Sequence, residues 1–442
     1  MIRMTIGILG GGLSGLTLGH LLSKKGVEFE ILEENEGCGG LLRSLREEGF
    51  TFDYGGSHII FSKNDTTLRF MQRLLGDNIV RGKRRAKILY KGRLVKYPFE
   101  NGLADLSIDE NLECLSGFIS NLLYREKGAA NTPKNLRDWC IYRYGRAIAD
   151  KYLLPYNRKI WKYPPEKLGV DWVERIPYAP LVDVLKSSLG ISTEGYVHQL
   201  NFTYPKRGGI SSLAKALELP IKERIRTNFR VKRIRKHGTC WRVSDGDQEL
   251  EYDKLVSTIP IPELAQIVNA PKAIVESAKS LKHNSLATVM LGLKKPLCHD
   301  LSWLYVPDKS VLPHRISFPS NMSPYAGPRG KSSVLAEITF RKPDAIFSMS
   351  DLELSERTID DLHKLSIVDK GDICFAKVAR IPYAYLINDL GYLKNLAKVR
   401  EYFQKNGIQL IGRFGEFRYL NMDQCVDDVV ARLPSIVRWA NE

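Results

Sequence analysis

Glycine residues near the start of the chain have the spacing that phosphate binding requires. Gly10, Gly12 and Gly15 belong to the run GGGLSG, which fits the pattern G-x-G-x-x-G. Gly10 would make a tight turn, Gly12 would let a pyrophosphate approach backbone N–H groups, and Gly15 would allow close helix–sheet packing. Glu33 follows eighteen residues after Gly15, where its carboxylate can accept hydrogen bonds from a ribose. This spacing predicts a dinucleotide site.

A strand, a helix and a second strand must hold this turn. The apolar run from Thr5 to Leu9 predicts the first strand, Leu13 to about Lys25 the helix, and Glu28 to Glu33 the second strand. That order predicts a parallel sheet. Near the end of the chain, Ile408 to Ile411 predicts another strand, which leads through a glycine turn into a helix from about Met422 to Leu433.

The middle of the chain has a different character. From Asp65 to Ile148, apolar residues recur at spacings of three and four, which predicts mostly helix. Strand patterns then return at Phe229 to Ile234, Cys240 to Ser244, Leu250 to Thr258, Thr288 to Leu293 and Ser333 to Phe340. The chain is therefore expected to cross between domains more than once.

Length, hydrophobic content and cysteine spacing indicate the general class of protein to which the chain belongs. A chain of 442 residues with 43% hydrophobic residues can bury a large core, and its length suggests about two or three domains. No apolar run approaches the roughly 18 residues of a membrane-spanning helix. Seven scattered cysteines without a C-x-x-C pair suggest neither a disulfide framework nor a zinc site, so no metal is expected. We expect a cytoplasmic protein.

A second glycine run favours FAD over NAD. Residues 39–44, GGLLRS, resemble the second glycine motif of the flavoprotein superfamily that includes amine oxidases, protoporphyrinogen oxidases, phytoene desaturases and UDP-galactopyranose mutases. At two positions where that motif commonly has arginine, this chain has Gly37 and Leu41. The resemblance therefore implies that backbone amides hold the pyrophosphate, assisted by Arg43.

The late glycine turn supports the same cofactor. Residues 411–424 resemble the element that faces the flavin pyrimidine in this superfamily. A helix N-terminus and a cation stabilise negative charge near N1 of reduced flavin, and Arg413 is the cation we expect there.

The resemblance implies an α/β fold with a Rossmann-type FAD-binding domain, built on a parallel sheet as in glutathione reductase. An interleaved helical and mixed-sheet domain would bind substrate. We assign residues 1–95, 200–275 and 395–442 to the FAD-binding domain, and 96–199 and 276–394 to the substrate-binding region. FAD is expected to bind non-covalently. The predicted cofactor contacts are Gly10, Gly12, Leu13, Ser14, Gly15, Glu33, Glu34, Gly39, Gly40, Leu41, Leu42, His58, Val231, Gly412, Arg413, Asn421, Met422 and Asp423.

Four separated blocks, in the same order, resemble the UDP-galactopyranose mutases. YGGSHIIF at 54–61 is similar to Y-G-A-H-I-F-H with one inserted residue, and VKYPFEN at 95–101 is similar to L-P-F-N. YNRKIW at 156–161 is similar to Y-T-x-K-x-W, and GRFGEFRYLNMD at 412–423 to G-R-L-x-x-Y-x-Y-x-D-M. Less specialised, protoporphyrinogen-oxidase-like members of the amine oxidase group also carry forms of these blocks.

This resemblance implies roles for individual side chains. Trp161, with Tyr156 and Arg158, would hold the nucleotide, while Tyr385 and Tyr419 would donate to its diphosphate. His58 would lie beside the isoalloxazine, and His58, Tyr385 and Tyr419 are the predicted catalytic residues. Each residue also has a purely structural alternative: a core anchor for Trp161, ordinary buried phenols for Tyr385 and Tyr419, and a hydrogen-bonded loop histidine for His58.

Two cationic positions of the mutases are lost. Where the mutases have an arginine after an I-P dipeptide, this chain has Tyr178. Where they have the arginine of an aromatic-Arg-Ser strand, it has Asn284. A diphosphate without a cation is poorly held. The possible substitutes are Arg315, Lys206, Arg207 and Lys159.

Three functions remain open from the sequence. The first is a nucleotide-sugar ring isomerase, in which the resemblance implies N5 of reduced FAD as the nucleophile and an electron donor that reduces it. The second is an oxidase or dehydrogenase of an amine, porphyrinogen or isoprenoid, with hydride transfer to the flavin. The third, a flavoprotein that binds nucleic acid or membrane, is suggested only by the net charge of +16 and basic clusters at 82–85 and 230–236, without a recognisable nucleic-acid motif.

Overall fold

The computed structural model describes residues 4–127, 132–173, 180–193 and 200–442. Its strands are β1 (Thr5–Leu9), β2 (Glu28–Leu32), β3 (Ser44–Glu47), β4 (Phe50–Asp53), β5 (Ile79–Lys83), β6 (Ala86–Tyr90), β7 (Arg93–Lys96), β8 (Asn201–Pro205), β9 (Ile225–Arg226), β10 (Arg233–His237), β11 (Cys240–Ser244), β12 (Glu249–Tyr252), β13 (Lys254–Ser257), β14 (Lys282–Leu293), β15 (Trp303–Tyr305), β16 (Arg315–Ser317), β17 (Ser332–Phe340), β18 (Ile373–Ile387) and β19 (Ile408–Leu410).

Helices connect and cover these strands. They are α1 (Leu13–Ser23), α2 (Asp65–Leu75), α3 (Ile108–Glu126), α4 (Leu136–Ile148), α5 (Leu154–Trp161), α6 (Leu181–Ser188), α7 (Ser211–Glu218), α8 (Ile261–Ile267), α9 (Lys272–Lys279), α10 (Pro319–Met322), α11 (Asp351–Lys364), α12 (Tyr392–Lys405), α13 (Gly412–Gly415) and α14 (Met422–Asn441). None of the helices in the described ranges has both the length and the apolar character of a bilayer-spanning segment.

A parallel sheet brings the two ends of the chain together. Its order is β19-β13-β1-β2-β9, and every neighbouring pair is parallel. The central strand β1 is almost entirely buried because both faces of a parallel sheet are covered. Helix α1 packs against α14 and α7 over one face, with Leu16, Leu18, Val426 and Val429 in the core. The α/β fold with a parallel sheet is therefore confirmed.

A mixed sheet forms the other half of the molecule. Its order is β18-β14-β17-β16-β15-β6-β7, with antiparallel pairs except between β15 and β6. Helix α11 packs on one face, where Leu354 and Leu362 meet Val289 and Ile338. Small antiparallel pairs or triplets are formed by β3 with β4, β5 with β8, and β10–β12.

The helical prediction for residues 65–148 is wrong between residues 79 and 96. This stretch forms β5, β6 and β7, whereas α2, α3 and α4 follow the expected pattern. The reason is tertiary pairing: β5 pairs with β8 and β6 with β15, both far along the chain. The hairpin β6–β7 thus joins the mixed sheet.

Candidate functional site

The first glycine turn has the backbone geometry that its sequence requires. Gly10 has a φ of +100°, and its N–H donates to Leu32 O at 2.8 Å. A Cβ added at Gly15 would lie 2.0 Å from Gly10 O, whereas one added at Gly12 would meet only Gly40 Cα, at 4.0 Å. Gly10 and Gly15 are therefore required by the fold, while Gly12 borders open space.

The N-terminus of α1 faces that space and is suited to an anion. Gly12 caps the helix without a side-chain hydrogen bond, and the first turn contains no acidic residue. The N–H groups at a helix N-terminus and the helix dipole favour negative charge. The turn therefore fits the pyrophosphate of a dinucleotide.

The second glycine run lies against the first. Gly39, at a φ of +121°, donates its N–H to Gly11 O at 2.8 Å and forms a bridge with Gly12. Gly40, Leu41 and Leu42 line the same space as Gly12. Arg43, in contrast, directs Nε to Gly40 O at 3.3 Å. The two runs form a slot walled by backbone.

The predicted ribose ligand is buried behind the turn. Glu33 is 6% exposed, and its carboxylate accepts from Gly11 N at 2.9 Å and from Asn35 N at 3.0 Å. Glu34 pairs with Arg230 at 3.5 Å, and Val231 packs against an apolar cluster. Glu33 thus fixes the turn, and its contact with a ribose remains a prediction.

The late glycine turn packs directly on α1. Gly412 has a φ of +77°, and a Cβ there would lie 2.2 Å from Ser14 Oγ. Arg413 donates to Leu420 O at 2.8 Å and to Ala384 O at 2.6 Å, and its guanidinium lies 4.2 Å from the Tyr419 ring centre. These contacts hold the Arg413 charge at the cavity wall.

A central cavity of about 420 Å³ separates these turns from the mixed sheet. Its walls include Gly12, Ser14, His58, Arg315, Tyr385, Arg413, Tyr419, Asn421 and Met422. An adjoining cleft of about 530 Å³ shares Tyr156 and Tyr419 with it and is lined by Trp161 and Asp423. The Asp423 carboxylate accepts from Ser62 Oγ at 2.9 Å.

The structure brings most of the predicted substrate residues together. The ring centres of Trp161 lie 6.1 Å from Tyr385 and 5.9 Å from Tyr419, and the two tyrosines are stacked at 6.2 Å. Burial raises the pKa of Tyr385, so its hydroxyl stays protonated and can donate. Arg158 is the exception, because it pairs with Glu166 at 2.8 Å and is 51% exposed.

His58 lines the cavity as a neutral imidazole. Burial lowers its pKa to about 4; the backbone carbonyl of Gly56, which can accept from the imidazole, opposes this shift, and the charges of Arg315 and Arg413 add to it. At neutral pH the imidazole can therefore donate a hydrogen bond to a ligand or accept one from it, but it carries no positive charge.

Among the four possible substitute cations, Arg315 is the one that reaches the cavity. Lys159 donates to three backbone carbonyls, those of Val306 at 3.0 Å, Asp308 at 2.5 Å and Pro313 at 2.7 Å. Burial lowers the pKa of Lys159 to about 7, while the three carbonyls favour its charged form. Lys159 therefore ties α5 to the loop after β15.

The other candidates lie elsewhere. Lys206 and Arg207 are exposed beside Tyr325. Asn284 is fully buried and donates to Ile160 O at 2.8 Å. Tyr178 lies outside the described residues.

Sequence reasoning missed Arg84, which lines the central cavity. Its Nη2 donates to Tyr305 Oη at 2.7 Å, and the guanidinium lies 5.0 Å from the Tyr97 ring centre and 5.5 Å from that of Trp303. Arg84 stands in a basic cluster that suggested only surface charge. Recognition of the strand at residues 86–90 would have placed Arg84 at the entry to the mixed sheet and not in an exposed cluster.

Comparison with known proteins shows what the chain is similar to. A family model described as flavin containing amine oxidoreductase matches residues 13–372. The crystal structure of a reduced UDP-galactopyranose mutase is similar with a TM-score of 0.90 and 25% identity, over 100% of this chain and 95% of that one.

Curated relatives include redox enzymes. Coproporphyrinogen III oxidase of Bacillus subtilis (strain 168) is 20% identical over 457 residues, which cover 95% of each protein. A 4,4'-diapophytoene desaturase of Staphylococcus aureus (strain COL) is 38% identical over 52 residues, and this match spans 12% of the chain and only 10% of the desaturase.

Proposed function

Because this chain belongs to the flavin containing amine oxidoreductase family, we propose that it binds FAD non-covalently and isomerises the ring of a nucleotide sugar. The likeness to UDP-galactopyranose mutase over the whole chain, at a TM-score of 0.90, carries the choice of reaction. When bound and reduced, FAD would supply a nucleophilic nitrogen, N5, for attack on the anomeric carbon.

The cofactor would be held from both ends of the chain. We assign its pyrophosphate to the slot at Gly12 and Gly40, where the α1 N-terminus favours anions. Arg413 would stabilise negative charge on the reduced ring, since its guanidinium is fixed at the cavity wall by Leu420 O and Ala384 O.

The substrate would lie against the aromatic wall. Trp161 would contact the nucleobase, and the hydroxyls of Tyr385 and Tyr419 would donate to the diphosphate. Neutral His58 would orient a sugar hydroxyl beside the reacting carbon. The residues thus bind and orient, and none of them has to act as a strong base.

The broader assignments follow the same proposal. Residues 1–95, 200–275 and 395–442 would form the FAD-binding domain, and 96–199 and 276–394 the substrate-binding region. The proposed partners are a nucleotide sugar and an electron donor that reduces the flavin. We propose a cytoplasmic setting, supported by seven cysteines that are all free.

An oxidase is the second candidate, and three observations favour it. The buried Asn284 stands where the mutases have a cation, and the adjoining cleft is lined by the carboxylates of Glu100, Asp423 and Asp427. Such a cleft repels a diphosphate and attracts a cationic substrate such as an amine. The relationship to coproporphyrinogen III oxidase over 95% of the chain points to the same class.

Turnover by oxidised and dithionite-reduced protein separates the two candidates. For the isomerase we expect ring interconversion of a nucleotide sugar by the reduced protein only, without net electron consumption, because an electron-rich nitrogen must attack. The oxidase is indicated if nucleotide sugars are inert in both states while an amine, porphyrinogen or polyene bleaches the oxidised flavin and oxygen or quinone is consumed.

A further inference from the structure

We propose that Arg84 and Arg315 form an anion clamp in the wall of the central cavity. The clamp would take the substrate's diphosphate in place of the cations absent at Tyr178 and Asn284. The identity of the anion as a diphosphate rests on the proposed function, whereas anion binding by the two arginines is independent of that function.

The sheet places both arginines around one phenol. Tyr305 on β15 is the register partner of Arg315 on β16, so the two side chains stand on the same face of the sheet. Arg84 reaches that phenol from the segment before β6, with Nη2 at 2.7 Å from Tyr305 Oη. All three residues line the central cavity.

Arg315 is held in a fixed orientation. Its Nε and Nη2 donate to the two carboxylate oxygens of Glu337 at 2.8 and 2.6 Å, and the Glu337 side chain is 0% exposed. No described residue accepts from Nη1. The bidentate pair therefore presents Nη1 as a preorganised donor, although Glu337 offsets much of the charge.

Arg84 adds the positive charge that this pair lacks. The pKa of Arg84 is raised overall: burial lowers it, Tyr305 and Tyr97 raise it more, and the nearby charge of Arg315 lowers it. Two cations close enough to repel each other are stabilised by an anion between them. On its outer side Arg84 borders a pocket lined by Arg85, Lys87 and Lys96 against one carboxylate, that of Asp300, which pairs with Arg85. The remaining excess of cations adds to the positive potential.

Calorimetric titration of the FAD-loaded protein tests the clamp. The probes are inorganic pyrophosphate, uridine diphosphate, uncharged uridine and a carboxylated tetrapyrrole, which offers the same oxyanion chemistry from another source. We expect Arg84→Gln to weaken pyrophosphate and uridine diphosphate binding roughly 10- to 100-fold, and Arg315→Lys by a smaller factor because one charge remains. Uridine affinity should not change.

Arg207→Gln is the matched control, since Arg207 also stacks on a tyrosine, at 3.8 Å from the Tyr325 ring centre, but stands outside the cavity. It should bind every probe as the unaltered protein does. FAD content and melting temperature verify folding. If Arg84→Gln does not fold, Arg84→Lys replaces it, and its loss of the planar fork should still weaken binding severalfold.

The clamp is overturned if neither pyrophosphate nor any other anionic probe binds, or if Arg84 and Arg315 variants bind them with unchanged affinity. The diphosphate assignment is overturned if only the tetrapyrrole depends on the two arginines. If the variants lose pyrophosphate binding while the unaltered reduced protein rearranges no nucleotide sugar, the clamp stands and the proposed function fails.

Discussion

Substitution of Gly12 by alanine should weaken FAD binding without unfolding the protein. Gly12 has φ −74° and ψ −176°, an extended conformation open to any residue, and the new methyl group would lie 4.0 Å from Gly40 Cα. We therefore expect the free energy of unfolding without cofactor to change by less than about 1 kcal/mol, the usual scale of an N-cap substitution. The same methyl group would occupy the surface that a pyrophosphate must approach.

The effect on the cofactor should be larger. Overpacking by one methyl group typically costs about 1–3 kcal/mol, which weakens FAD binding roughly 5- to 150-fold. Fluorescence titration of deflavinated protein with FAD measures this loss. Thermal unfolding with and without FAD measures how much FAD stabilises each variant, because a more weakly bound ligand stabilises the fold less.

Gly15→Ala is the control, since its Cβ would lie 2.0 Å from Gly10 O, a backbone atom that cannot move aside. It should destabilise the protein even without cofactor. Unchanged FAD affinity in Gly12→Ala would refute the assignment of the pyrophosphate to this turn. Equal destabilisation of both deflavinated variants would refute the geometric argument.

Three other perturbations test the site. Arg413→Ala should lower the flavin reduction potential in a spectroelectrochemical titration, because a cation near N1 favours the anionic reduced form; an unchanged or higher potential would place Arg413 elsewhere. Tyr419→Phe should weaken nucleotide-sugar binding to the reduced protein by about 1 kcal/mol, with normal FAD content, and equal calorimetric affinities would contradict its contact with the diphosphate. The pKa of His58, lowered to about 4 by burial, means that the folded protein binds fewer protons than the unfolded chain below about pH 6.5. Stability should therefore fall by roughly 1–2 kcal/mol from this group between pH 7.5 and pH 5, and His58→Gln should reduce that loss in urea unfolding; identical pH dependence would contradict it.

The sequence predicted the parts of the fold that depend on local rules. The strand Thr5–Leu9 has the predicted bounds, because a buried parallel strand is a short apolar run. The turn at residues 10–15 requires glycine for steric reasons that act within a few residues. The family resemblance also predicted that Tyr385 and Tyr419 act at one site; both line the central cavity, and their roles remain predictions.

The rest depends on contacts between distant residues. Nothing local distinguishes Lys159, tied to three carbonyls, from Arg315, which faces the cavity. Arg84 acquires its place only because β6 pairs with β15, whose sequence lies more than 200 residues later. Likewise, the strands between residues 79 and 96 are set by their pairing partners and not by their own periodicity.

The contact between Ser14 and Gly412 sets the order in which the binding site can form during protein synthesis. Helix α1 leaves the ribosome early, whereas the turn at Gly412 that closes against it emerges nearly 400 residues later. A nascent chain can thus fold its first strands without completing the slot. Retention of the cofactor would then indicate that translation has continued past β19. Chains that end before β19 would be released without cofactor, and therefore colourless, and would be susceptible to proteolysis.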